Sequence, residues 1–145
     1  MTAFEDDWRL VEAFDSWLAG RGYRLVGSQG PEGMASALRL YRGGGVVLRV
    51  TSDRGQWFLA VGPDQAGDLE SAEFTLEAWG RVLGWPAWFH SASIDTSWNL
   101  VPQLDWLRAH LEQIEAASSP ERVAGTYAAL VAARRALAAF PPRSG

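Results

Sequence analysis

A chain of 145 residues, 48% hydrophobic and carrying eight Trp and six Phe, is sized for a single domain, residues 1–145, with a substantial core. It has no Cys, which excludes disulfides, thiol catalysis and Cys-based metal sites. Net charge is −4, every cationic side chain is Arg, and these are spread along the chain, so no basic footprint for nucleic acid is expected.

Residues 3–20 read as a helix. Phe4, Trp8, Val11, Phe14, Trp17 and Leu18 recur at steps of three and four and fall on one stripe. Glu5, Asp6 and Asp7 stand in the first turn, where the helix dipole favours negative charge, and Gly20 and Gly22 end the helix. The acidic, amphipathic start MTAFEDDWRL is unlike a signal peptide, and no apolar run nears the ~20 residues of a membrane span. A soluble, cytoplasmic protein is the expectation, unless a partner exports it.

Tyr23–Gly27 predicts a first strand and Ser28–Gly33, with Gly30, Pro31 and Gly33, a loop. Ala37–Arg42 predicts a second strand with Leu38 and Leu40 on one face and Arg39 and Tyr41 on the other. Gly43, Gly44 and Gly45 turn the chain into its central hairpin, Val46–Val61. There Val46, Leu48 and Val50 alternate with the wetter Val47, Arg49 and Thr51, and Trp57, Leu59 and Val61 repeat the pattern on the return. The turn Ser52-Asp53-Arg54-Gly55 fits a type I turn closed by a G1 bulge, with Gly55 at positive φ.

After a polar loop, Phe74–Leu83 predicts a short helix with Thr75 as N-cap and Phe74 and Trp79 as a hydrophobic staple, closed by Gly84. Trp85–Trp98 is irregular and aromatic. A long helix is expected over Leu100–Ala116, with Leu100, Leu104, Leu107, Leu111 and Ile114 as its buried stripe and Pro102 tolerated in its first turn. Ser119 and Pro120 sit where an N-cap and N1 belong for a last helix packed through Val123, Tyr127, Leu130, Leu137 and Phe140. The order gives an α+β fold: an N-terminal helix, a four-stranded antiparallel meander and three C-terminal helices in a two-layer sandwich.

Little here points to catalysis. His90 lies five residues before Asp95, a spacing that could serve acid–base chemistry but lacks a nucleophile and an oxyanion site. His110 falls between the apolar rows of its helix. No metal-ligand spacing is present, and the Gly43–Gly45 run lies between strands and lacks the ending of a phosphate loop. No metal or cofactor is expected. Arg54 at the hairpin tip can serve the turn alone or meet a partner carboxylate. Trp85, Trp88, Phe89 and Trp98 can plug the sheet, or some can stay exposed beside Asp95 and Asp105 as an acidic-aromatic patch suited to a basic protein surface.

The segment LRVTSDRGQWFLAVGP, with GYRLV before it, resembles the core of small bacterial immunity-like proteins of polymorphic toxin systems, many of them uncharacterised. The matching positions are Gly22–Val26 and Leu48–Gly62, with Asp53, Arg54, Gly55, Gln56 and Trp57 the most specific; the C-terminal helices do not match. The resemblance implies a non-enzymatic protein that caps a cognate toxin, with no direct nucleic-acid or membrane partner. Arg54, Trp85, Trp88, His90, Asp95 and Asp105 are then the candidate contacts. Two alternatives stand beside it. One is an accessory subunit or homodimeric module of a bacterial complex; the other is a small-ligand domain with a pocket lined by Trp57, Trp85, Trp88 and His90.

Overall fold

The computed structural model describes residues 3–33, 36–64, 74–84 and 99–139. Within them the fold is α+β, with four helices and a five-stranded antiparallel sheet. Helix α1 (Ala3–Gly20) leads into strands β1 (Arg24–Glu32), β2 (Ser36–Gly43), β3 (Val46–Asp53) and β4 (Gln56–Pro63). A two-residue strand β5 (Phe74–Thr75) then runs directly into α2 (Leu76–Leu83), and α3 (Leu100–Ala117) and α4 (Val123–Ala139) follow. The strands pair in sequence order, β1-β2-β3-β4-β5.

Register fixes the two faces of the sheet. Tyr41, Leu48, Val61 and Phe74 stand opposite one another in one row, and Leu40, Arg49, Ala60 and Thr75 in the next. Side chains alternate along a strand, so these rows point to opposite sides. The Tyr41 row is buried and joins Val50, Trp57 and Leu59 in one core with Val11, Phe14 and Leu18 of α1 and Leu104, Leu107 and Leu111 of α3. This is the inner face.

The long periodic elements stand where the residue pattern places them, and five details differ. The predicted loop at Ser28–Gly33 belongs largely to β1, which continues to Glu32 through two register shifts, between Leu25 and Gly27 and between Gln29 and Glu32. A bulge lets a strand absorb residues that break its alternation. The sheet has a fifth strand, because Val61 and Ala60 pair with Phe74 and Thr75 before the short helix begins. The central turn is not a type I turn with a bulge. Asp53 pairs directly with Gln56, and Arg54 and Gly55 both have positive φ, 56° and 82°. That is the two-residue type I′ arrangement, whose twist matches that of the strands. Helix α4 starts at Val123, not Pro120: the Ser119 carbonyl accepts from the amides of Arg122 and Val123, and residues 118–122 form turns. Finally, α3 runs one residue further, to Ala117.

Helix ends follow local chemistry. The Thr75 hydroxyl accepts from the Ala78 amide at 3.2 Å, and Gly84 closes α2 in the left-handed conformation. Phe74 and Trp79, at the staple positions, are both buried in the core. The predicted stripe of α3 is buried along its whole length. On α4, Leu130 is fully buried and Leu137 partly, while the ring of Tyr127 meets Phe74 edge-on at 5.7 Å. Phe140 lies outside the described residues.

The β2–β3 turn is clamped from above. Gly43 lies so close to Tyr23 that a Cβ would come within 2.6 Å of its ring. The Tyr23 hydroxyl donates to Glu115 Oε2 at 2.8 Å, and Arg21 Nη2 pairs with Glu115 Oε1 at 3.4 Å. The end of α1, the glycine turn and the end of α3 are thereby tied together.

Candidate functional site at the hairpin end of the sheet

The opposite end of the sheet gathers the hairpin tip, the start of α1 and the start of α3. Trp57, three residues past Arg54, organises it. Its indole is 1% exposed and donates from Nε1 to Asp7 Oδ2 at 3.1 Å. Phe4 stacks on it with centroids 5.7 Å apart and planes 10° apart, and Phe4 in turn stacks on Trp8 at 6.3 Å. The guanidinium of Arg39 lies 4.3 Å from the centre of the Trp8 ring. Arg39, Trp8, Phe4 and Trp57 thus form one continuous stack, set by a period of four on the helix and a period of two on the strands.

Helix α3 is fixed to the same end by one side chain. Gln103, fully buried, accepts from the Leu59 amide through Oε1 at 3.2 Å. Its Nε2 donates to the Trp57 carbonyl at 2.9 Å and to the Asn99 carbonyl at 3.0 Å. Each of its polar atoms is satisfied, as burial requires.

Beside the stack, Phe4, Glu5, Trp8, Arg9, Glu12 and Pro31 line a groove of about 300 Å³. Two carboxylates and one guanidinium rim two half-exposed aromatic rings. Asp7, just inside, has its carboxyl pushed above the ordinary aspartate range, first by burial, with the Trp57 hydrogen bond opposing and Asp6 reinforcing. Charged and aromatic side chains therefore share a surface at the start of α1. Phe4 and Trp8 lie on the apolar stripe of that helix, which runs past the edge of the core and leaves them half-buried. Glu5, Arg9 and Glu12 flanking that end of the stripe are the sequence signal for it.

Of the predicted contacts, Arg54 is exposed at the tip and makes no hydrogen bond or ion pair among the described residues. It is also the one described non-glycine residue with positive φ. Asp105 is on the outer side of α3, its side chain 68% exposed, 3.7 Å from Arg108 Nη1. No contact joins it to Arg54. Trp85, Trp88, His90 and Asp95 lie outside the described residues. Trp57 belongs to the core; the other three residues of the pocket expected around it, Trp85, Trp88 and His90, lie outside the described residues. His110 is half-buried, its ring stacked on Trp106 at 4.4 Å and its Nδ1 2.8 Å from the Trp106 carbonyl.

Among the described residues no group of three His, Asp or Glu side chains is placed to hold a metal ion, and no helix is long and apolar enough to cross a membrane. No model of a known protein family matches the chain, and no curated protein or solved structure matches it.

Proposed function

We propose that this is a non-enzymatic protein-binding protein of the immunity type, acting in the bacterial cytoplasm by capping a cognate toxin with the hairpin end of its sheet. The observation that carries the reading is the conformation of Arg54. A left-handed backbone is unfavourable for an L-residue with a long side chain, by roughly 1–2 kcal/mol, and Asn or Gly suits the first position of a type I′ turn far better. Strain of this kind is characteristic of positions kept for contact. Arg54 holds a guanidinium in solvent at the tip of a stiff hairpin, ready for a carboxylate on the partner. The acidic-aromatic groove nearby suits basic side chains of the same partner. The immunity assignment itself rests on the resemblance of the DRGQW hairpin. In this reading the fold is a two-layer sandwich, with the sheet backed by α1 and three C-terminal helices, and its hairpin end faces the toxin.

The test is co-expression and pull-down with the product of the neighbouring gene. Capture by the wild-type chain, and at least tenfold weaker capture by Arg54→Glu at unchanged stability, is the expected outcome. A neighbouring toxin that kills equally well with and without this protein ends the immunity reading. Undiminished capture by Arg54→Glu removes the hairpin tip from it.

A further inference from the structure

Strand β3 reads VVLRVTS, a β-branched run with one cation inside it. Alternation turns Arg49 to the outer face of the sheet, between Leu40 on β2 and Ala60 on β4. Four arginines among the described residues are half-buried: Arg39, Arg42, Arg49 and Arg108. Three have partners. Arg42 Nε is 3.0 Å from Asp64 Oδ2, Arg108 is paired with Asp105, and Arg39 bonds Ser28 and the Leu38 carbonyl while lying over Trp8. Arg49 has none among the described residues; its Nε is buried without a hydrogen bond, as are the Nε of Arg39 and Arg42, but it alone of the four lacks any charged or polar partner there. A half-buried guanidinium with no ion pair gains little from its place in the sheet, and an apolar residue would serve a strand interior better.

Arg49 lines a cavity of about 410 Å³ on this outer face. Leu38 supplies an apolar floor, Gln29, Ser36 and Thr51 supply neutral hydrogen-bonding groups, and Glu32 is the one carboxylate in the wall. Its volume is in the range of small-molecule sites. We propose that this cavity is a binding site for a carboxylate that carries a hydrogen-bond donor, as in a free amino acid or the C-terminal residue of a peptide. The two terminal Nη–H groups of a guanidinium form a planar fork spaced to the two oxygens of a carboxylate, and in Arg49 that end has no hydrogen bond or ion pair among the described residues, while the Nε is buried behind it. Glu32 disfavours a doubly charged anion and offers an acceptor to an ammonium or amide on the same ligand. The cavity opens on the outer face near the same hairpin end as the surface proposed for protein capture, but small carboxylates test it without the partner, so the two readings fail separately.

Four probes test this by calorimetry and by following the Arg49 Nε–Hε resonance: N-acetylglycine, triglycine, triglycine C-terminal amide and inorganic phosphate. Saturable binding of the first two in the millimolar range or tighter is expected, with the resonance shifting, and no binding of the amide. Tighter binding of triglycine identifies a chain terminus as the source of the carboxylate; tighter binding of N-acetylglycine identifies a free small acid. Arg49→Lys keeps the charge but lacks the fork, and is expected to bind at least tenfold more weakly. Absence of binding by both carboxylates, equal binding of the amide, equal or tighter binding of phosphate, or unchanged affinity in folded Arg49→Lys each overturns the proposal. If Arg49→Lys does not fold, the contrast between triglycine and its amide on the wild-type chain decides alone.

Discussion

The two faces of the sheet solve the same problem in opposite ways. On the inner face three buried polar side chains have partners inside the chain: the Trp57 indole has Asp7, the Tyr41 hydroxyl has Asp15, and Gln103 serves three backbone groups. On the outer face Arg49 is half-buried and has no partner among the described residues. The difference separates residues that hold the fold from residues that the fold holds for something else. A buried polar group that is satisfied stabilises one arrangement; one left unsatisfied costs stability that a ligand can restore, as proposed for Arg49.

Substitutions on the inner face should therefore be expensive. Trp57→Ala removes a fully buried indole, its bond to Asp7 and the ring beneath Phe4, and is expected to cost about 3–5 kcal/mol in urea denaturation. Gln103→Leu conserves much of the volume but strands the Leu59 amide and the Trp57 carbonyl, at about 2–3 kcal/mol. A cost near zero would show that water reaches those groups. At the turn between the faces, Arg54→Gly relieves the left-handed backbone and should stabilise by about 1 kcal/mol while weakening partner capture. On the outer face, Arg49→Val puts a β-branched residue into a strand and removes an unpaired charge. A change within about 1 kcal/mol, neutral or stabilising, is expected, together with loss of carboxylate binding. A large destabilisation there would erase the contrast between the faces.

The smallest effect is a pH dependence. The Asp7 carboxyl is raised above its ordinary 3.8, so the folded chain favours its protonated form. Its ionisation therefore destabilises the fold as pH rises through the shifted value, and below 3.8 both states are protonated and the effect vanishes. Asp7→Asn keeps an oxygen for the Trp57 indole. It should unfold at a slightly higher temperature than wild type at pH 7 and at the same temperature at pH 3. An advantage of equal size at both pH values would sink this account.

What the chain revealed in advance follows physical lines. Period two in Val46–Val61 and period 3.6 in Leu100–Ile114 are long enough to fix element, face and burial together. Strand β1 was half-hidden, because Gly30 and Pro31 read as breakers and only the pairing with β2 shows that bulges absorb them. Strand β5 has two residues, too few for any period, and depends on Val61 and Ala60 being adjacent. The type I′ turn is not legible in the sequence because Arg is a poor left-handed residue. At the site, Arg54 and Asp105 were legible as exposed charges, but the groove at Phe4 and Trp8 was not, since an i, i+4 aromatic pair reads the same whether the core covers it or stops short. Arg49 was visible as a cation among β-branched residues; its lack of a partner is a fact of three dimensions.

Gln103 has a consequence for how the protein behaves in a crowded solution. Among the described residues β5 pairs only with Ala60 and Val61 of β4, so without Gln103 the Trp57 carbonyl and Leu59 amide would stand there as raw edge, a template for a neighbouring chain to stitch onto. The side-chain amide of Gln103 fills that gap as a single borrowed peptide unit, and the Trp79 indole takes the Val61 carbonyl at 2.9 Å just beyond. One glutamine on a helix thus terminates the sheet and guards this margin against fibrous self-association.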